Sequence, residues 1–274
     1  LKRLVHKNCC NYKEYRFESW FTGEESFLSG HIVKGKKIVP GAVYLELVRQ
    51  AVEEFVPSEA KKWCLGDIVW IRALEIESKT KVITEFFVNE DQSIRFEVYT
   101  LEEEERKVLH CKGNVLKMQE EELLDFSQIK EELLREESIP GDICYDKFEQ
   151  LDMEYGIENR IVSCAYVSES KTLLKLELPK VIEESPLDCM AHPNLIDASL
   201  QGIFILNMDR DNPETKVPYG IEEISFIKEA ETSMWAYIRK NRAAKDESYD
   251  VFIFDYNGNL CISLNKVIMK EITT

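Results

Sequence analysis

The sequence of 274 residues is short of several things, and each shortage closes off a class of function. Positive charge is scarce: 35 Lys and Arg stand against 51 Asp and Glu, a net charge of −16. Such a balance argues against a broad electrostatic footprint for nucleic acid or an anionic membrane. No apolar run approaches the roughly 18 residues that span a bilayer, and the opening LKRLVHKNCC lacks the apolar core of a signal peptide, so a cytoplasmic location is expected. The eight cysteines, at 9, 10, 64, 111, 144, 164, 189 and 261, form no CxxC pair and do not cluster with histidine at metal-ligand spacing. Free thiols, mostly buried, and no bound metal are the expectation. There is also no GxGxxG to cradle a dinucleotide. What is present, 44% hydrophobic and 31% charged residues, is the composition of a folded chain long enough to bury its core without disulfides.

Periodicity predicts a helix from about Gly41 to Phe55. Pro40 suits its start, and Glu46, Arg49, Gln50, Glu53 and Glu54 gather on one narrow polar stripe of an otherwise apolar helix. Four segments rich in β-branched and aromatic residues follow, centred on DIVWIRAL, KVITEFFV, SIRFEVYT and KVLHCKGNVLK. The chain then turns acidic and helical from Gln119 to Ser138, which reads as a linker with a solvated helix, and Ile139-Pro140-Gly141 punctuates it. Beyond a lead-in of helix and strands, a second, almost wholly apolar helix runs from about Asn194 to Asn207. Four more strand segments come after it, in VPYGIEEISFI, SMWAYIRK, YDVFIFD and LCISLNKVIMK, with Asn257-Gly258 signalling a two-residue hairpin between the last two.

Helix then four strands thus occurs twice, which implies an α+β tandem repeat. A long apolar helix wrapped by a curved antiparallel sheet is the hot-dog arrangement, and two in one chain make a double hot-dog. The expected division is an N-terminal repeat over 1–120, an acidic linker over 121–140 and a C-terminal repeat over 141–274. Periodicity alone leaves other α+β folds open.

Two residues stand out chemically. His31 lies just before the first helix in LSGHIVKGKKIVPGAVYLE, among Gly30, Gly35 and Gly41; an imidazole titrates near neutrality and can act as a base, but a lone histidine beside an apolar element is also a common core residue. Asp197 sits in HPNLIDASLQGIFILN, near the start of a helix that buries nearly everything else. It reads equally as a helix cap accepting first-turn amides or as a carboxyl kept protonated by burial, ready to serve as a general acid. Gln201, four residues on, shares its face and can orient it.

HIVKGKKIVP, from His31 to Pro40, resembles the HxxxGxxxxP motif of polyketide synthase dehydratase domains, and GAVYLE resembles their PGxxYLE continuation. DASLQ, from Asp197 to Gln201, matches their DxxxQ motif, preceded by HPNLI as is common there. The resemblance extends through LHCKGNV and VPYGIEEISFI and covers the whole chain. A third motif, YGPxF, is only partly kept: Tyr155 and Gly156 are present, Ile157 replaces the proline, Asn159 stands where an aromatic is usual, and Gly30 replaces an aspartate often found before the histidine. This irregular pattern looks more like the trans-acyltransferase type of assembly line.

The resemblance implies a double hot-dog dehydratase that converts a β-hydroxyacyl chain on an acyl carrier protein to the α,β-unsaturated chain. His31 would be general base and Asp197 general acid, while Gly35, Pro40, Gly41, Tyr155, Gly156 and Gln201 would bind or orient substrate. The domain would bind no cofactor, since the substrate arrives on the carrier's phosphopantetheine. Its partners would be the carrier, neighbouring synthase domains and, in a homodimer, a second copy. Double-bond-shifting isomerases, pyran-forming or cyclising relatives and a non-catalytic scaffold share the fold and are the alternatives. Lys34, Lys36 and Lys37, a basic cluster beside His31, read either as solvated loop residues or as a contact for the carrier's phosphate.

Overall fold

The computed structural model describes residues 3–56, 63–183, 187–208, 216–241 and 247–271. In the first half the elements are β1 (Lys7–Asn8), β2 (Tyr15–Phe21), β3 (His31–Val33), β4 (Lys36–Lys37), α1 (Gly41–Phe55), β5 (Trp63–Trp70), β6 (Thr80–Val88), β7 (Ile94–Leu101) and β8 (Lys107–Lys117). The acidic segment contributes α2 (Phe126–Leu133) and β9 (Ser138–Pro140). Then come α3 (Gly141–Glu149), β10 (Met153–Tyr155), β11 (Val162–Val167), β12 (Lys171–Glu177), α4 (Lys180–Glu183), α5 (Pro193–Asn207), β13 (Lys216–Phe226), β14 (Ser233–Asn241), β15 (Ser248–Phe254) and β16 (Leu260–Glu271).

Thirteen strands form one antiparallel sheet in the order β1-β2-β6-β7-β8-β5-β13-β16-β15-β14-β12-β11-β9. The two repeats join at β5 and β13, where Val69 pairs with Gly220 and Ile68 with Ile221. The long helices α1 and α5 are the apolar centres of the repeats, as a double hot-dog requires. Along α1, Val43, Leu45, Leu47, Val48 and Val52 are buried; at roughly 1.5–3 kcal/mol for each large apolar side chain, burial outweighs the weak helix propensity of the valines. Gly202 lets α5 lie close on its sheet, since a Cβ there would stand 2.5 Å from Ile238 Cδ1 and 2.9 Å from Leu174 Cδ1.

Three features add to or correct the sequence expectations. Three of the five polar-stripe residues of α1 are inside, Glu46, Arg49 and Gln50 being 0%, 4% and 0% exposed, while Glu53 and Glu54 face solvent. Arg49 pairs with both Glu46 and Glu53, Glu46 accepts from the Met190 amide at 3.2 Å, and Gln50 joins the Leu4 amide to the Asp188 carbonyl. The stripe therefore ties α1 to the N-terminal segment and to the approach to α5. Second, the acidic helix α2 is not simply solvated, because Phe126 and Leu133 bury themselves in an apolar cluster with Trp235 and Phe254. Third, the β15–β16 connection has three central residues, Tyr256-Asn257-Gly258, not two. Asp255 N–H donates to the Asn259 carbonyl at 2.9 Å and Gly258 N–H to the Asp255 carbonyl at 3.0 Å, with Gly258 at φ +86°. The Asp255 carboxylate takes the amides of Asn257 and Asn259 and so favours the longer loop.

All eight cysteines are free thiols, with Cys64, Cys111, Cys144 and Cys261 buried and the other four half-buried. Among the described residues no helix is long and apolar enough to cross a membrane.

Candidate active site

A small second sheet, β10-β3-β4, builds the site. Val33 pairs with Lys36 across the β3–β4 turn, and both central residues have positive φ, Lys34 at +50° and Gly35 at +76°. Left-handed backbone at both positions is what this tight hairpin demands. Gly35 was expected to contact substrate; it lies outside the cavity wall and serves the turn instead. On the other side, β10 pairs with β3 so that Tyr155 stands opposite His31, with ring centres 5.6 Å apart.

His31 is buried, and its Nδ1 lies 2.7 Å from the Ile38 carbonyl. A carbonyl only accepts, so Nδ1 is the donor in this contact, and in the neutral ring Nε2 is then the acceptor. Asp197 is not a helix cap. α5 begins four residues earlier, at Pro193, where the His192 side chain accepts from the Asn194 amide. Asp197 instead accepts from Gln201 Nε2 at 3.0 Å. Protein atoms surround the carboxyl, and what exposure it retains is to the cavity. Burial pushes its pKa up, and His31 and the Gln201 hydrogen bond pull part of that back.

His31 from the first repeat and Asp197 from the second line one cavity of about 730 Å³, together with Pro40, Gly41, Tyr155 and Gln201. Much of the remaining wall is apolar, from Val33, Met153, Leu200, Phe204, Val217 and Pro218. Pro40 supplies no side-chain cap to α1, and the first amides of a helix have no partner within it. The Gly41 amide is therefore a donor at the positive end of the helix dipole. Gly41 is required there: a Cβ would lie 2.9 Å from the Trp70 ring, whose Nε1 donates to the Gly41 carbonyl at 3.2 Å. Burial, with Asp197 nearby, drives the Tyr155 phenol well above its ordinary range, so it faces the cavity as a donor.

Gly156 behaves differently from expectation. Its amide donates to the Gly30 carbonyl at 2.7 Å, which occupies it, and it lies outside the cavity wall. A Cβ on Gly30 would come 2.7 Å from both Gly156 Cα and Asn159 Oδ1. The two departures from the motif pattern, Gly30 and Asn159, are thus neighbours, and Asn159 fills space that a side chain at position 30 would need.

A profile of the polyketide synthase dehydratase domain matches residues 3–101, and one described as the polyketide synthase dehydratase N-terminal domain matches residues 121–274. The chain belongs to the polyketide synthase dehydratase family. It is 30% identical over 289 residues to polyketide synthase PksM of Bacillus subtilis, covering 99% of this chain and 7% of that protein. Against PksN of the same organism it is 30% identical over 275 residues, 96% of this chain and 5% of PksN. The chain thus spans only a small fraction of the curated relatives it matches. Among solved structures it is similar to a trans-AT PKS dehydratase domain from Brevibacillus brevis, at TM-score 0.90 and 27% identity, with 100% of this chain and 99% of that one covered.

Two parts of this dehydratase site escape sequence reasoning. Tyr145, on α3, donates to Gln201 Oε1 at 3.2 Å and accepts from the Val162 amide at 3.0 Å. Asn194, three residues before Asp197, donates to the carbonyls of Ser26 and Glu158 at 3.2 and 2.6 Å, latching the segment before His31 to the helix of Asp197. The lysine cluster is also divided. Lys34 and Lys36 reach the cavity mouth with Arg72 and Lys270, and Lys36 pairs with Glu75. Lys37 is turned to the Gly23 carbonyl and Glu24.

Proposed function

We propose that this domain dehydrates a β-hydroxyacyl thioester carried on an acyl carrier protein, giving the α,β-unsaturated thioester and water. His31 Nε2 takes the proton from the carbon next to the thioester carbonyl. Charge moves onto the thioester oxygen, toward the Gly41 amide and the helix dipole. The C–O bond at the β-carbon then breaks, Asp197 gives its proton to the departing hydroxide, and the double bond forms between the two carbons. Proton transfer of this kind needs no electron carrier.

The observation that carries this reading is the pairing within one apolar cavity of a histidine nitrogen free to accept a proton and a carboxyl that burial inclines to hold one. At the mouth Lys34, Arg72 and Lys270, with Lys36 paired to Glu75, outnumber Glu271 on a chain of net charge −16, which suits the phosphate of a carrier's phosphopantetheine arm. The test is a panel of 3-hydroxyacyl carrier proteins followed by intact mass. Loss of one water supports dehydration; double-bond migration or ring closure of an enoyl chain at unchanged mass would replace it with isomerase or cyclase activity.

A further inference from the structure

We infer that Tyr145 is a positioning residue for the acid: it fixes which end of the Gln201 amide faces Asp197. A glutamine can present either its oxygen or its nitrogen to a carboxyl, with opposite consequences. Nitrogen stabilises the ionised carboxylate, whereas oxygen accepts only from the protonated form. The choice is made one residue further back. The Tyr145 oxygen receives the Val162 amide at 3.0 Å, so its own proton points elsewhere. The Gln201 oxygen, at 3.2 Å, is nearer than the competing Asn159 carbonyl at 3.4 Å. With its oxygen held by Tyr145, Gln201 turns Nε2 to Asp197 at 3.0 Å.

The relay is rigid because its members are buried and its far end is the first strand residue of β11. Tyr145 is 2% exposed and Gln201 2%. Burial drives the Tyr145 phenol far up, so the hydroxyl stays a donor throughout the working range. The titratable groups that face Asp197 are His31 from β3, Tyr155 from β10 and Tyr145 from α3. The Arg160 guanidinium lies over the Tyr145 ring, 5.4 Å from its centre. Losing the relay removes a donor from ionised Asp197 and moves its titration to higher pH.

The experiment follows the ¹³C carboxyl titration of Asp197 in the resting protein, in Tyr145→Phe, Gln201→Ala and the double variant. Tyr145→Phe is expected to move the titration up, Gln201→Ala to move it up as well, and the double variant to move it no further than Gln201→Ala alone, because Tyr145 acts only through Gln201. An unmoved titration in Tyr145→Phe, or additive shifts, overturns the inference. Should Tyr145→Phe fail to fold, Gln201→Met removes the amide that Tyr145 orients without adding a charge beside Asp197; a titration unmoved there overturns it equally. The kinetic consequence, a fall of about tenfold in kcat with KM little changed, rests on the dehydration reading. If no substrate is dehydrated, that reading fails while the carboxyl titration still decides the relay.

Discussion

Replacing Gly30 by alanine tests how closely His31 is held. A Cβ at that position would lie 2.7 Å from Gly156 Cα and 2.8 Å from its nitrogen, against an ordinary carbon contact of roughly 3.5–4.0 Å, so the two backbones must part by about 0.7–1.3 Å. That movement stretches the Gly156-to-Gly30 hydrogen bond, now 2.7 Å, beyond useful length. Lost bonding of about 1 kcal/mol and overpacking of about 1–3 kcal/mol together lower the melting temperature by roughly 4–8 °C, at about 2 °C per kcal/mol for a domain of this size. The catalytic effect is expected to be larger than the thermal one. Gly30 immediately precedes β3 and Gly156 immediately follows β10, the two strands that set His31 against Tyr155, and a displacement near 1 Å can cost on the order of 10² in rate. Water loss from a carrier-bound 3-hydroxyacyl chain, read by mass, should therefore fall by more than about tenfold at temperatures where the variant is fully folded. Gly35→Ala is the control: it strains a left-handed turn residue that has no atom of the described residues within 4 Å of the added Cβ, so stability drops and turnover holds. If Gly30→Ala melts and turns over like the parent, the back-to-back contact does not set the site.

The long helices were legible because their apolar content leaves little else they can be: Gly41–Phe55 matches its predicted span, and the second helix begins at Pro193, one residue before prediction. Proline is pre-organised for a first helical position, and with Pro193 there Asp197 falls inside the helix, not at its cap. The small sheet was invisible for a physical reason. Strands of two or three residues carry no period, yet β3, β4 and β10 are what bring His31, the Lys34-Gly35 turn and Tyr155 together. Motif resemblance singled out His31 and Asp197, which line one cavity, but overstated Gly35 and Gly156, since a glycine demanded by a turn or by backbone contact looks the same in sequence as one that admits substrate. Tyr145 and Asn194 could not be read at all: the first acts on Gln201, 56 residues away, and the second on Ser26, 168 residues away. Hydrogen bonds over such separations leave no local pattern. The Glu46-Arg49-Gln50 stripe is the converse: its polar pattern is plain in the sequence, but only partners from distant segments, Leu4, Asp188 and Met190, account for its burial.

His31→Ala and Asp197→Asn are each expected to cut water loss by on the order of 10² or more while leaving the melting temperature little changed, because each removes a proton-transfer group; near-parental turnover in either folded variant would break the assigned mechanism. Asp255, its side chain fully buried, is held down to about 2 from 3.8 despite burial by hydrogen bonds from Lys228 and Asn259. A depressed folded value contributes stability that is present above the ordinary carboxylate range and lost as pH falls toward about 2, so Asp255→Asn should be less stable at pH 7 and should flatten the fall in stability between those limits in acid-titrated melts. Finally, the cavity mouth should act as an anion contact. Lys34 and Arg72 are exposed there, whereas Lys36 is partly neutralised by Glu75 and Lys37 is engaged with Gly23 and Glu24, so the first pair carries the test. Lys34→Glu with Arg72→Glu should weaken turnover of a carrier-bound substrate much more than turnover of a short uncharged thioester, since only the former brings a phosphate and an acidic carrier surface. Because the contact is solvent-exposed, the penalty should shrink as salt rises from about 0.01 M to about 1 M and the screening length falls from roughly 30 Å to 3 Å. Equal losses on both substrates would place these residues in the reaction itself, and a salt-independent loss would point to distortion of the β3–β4 turn; either result removes the mouth as a docking contact.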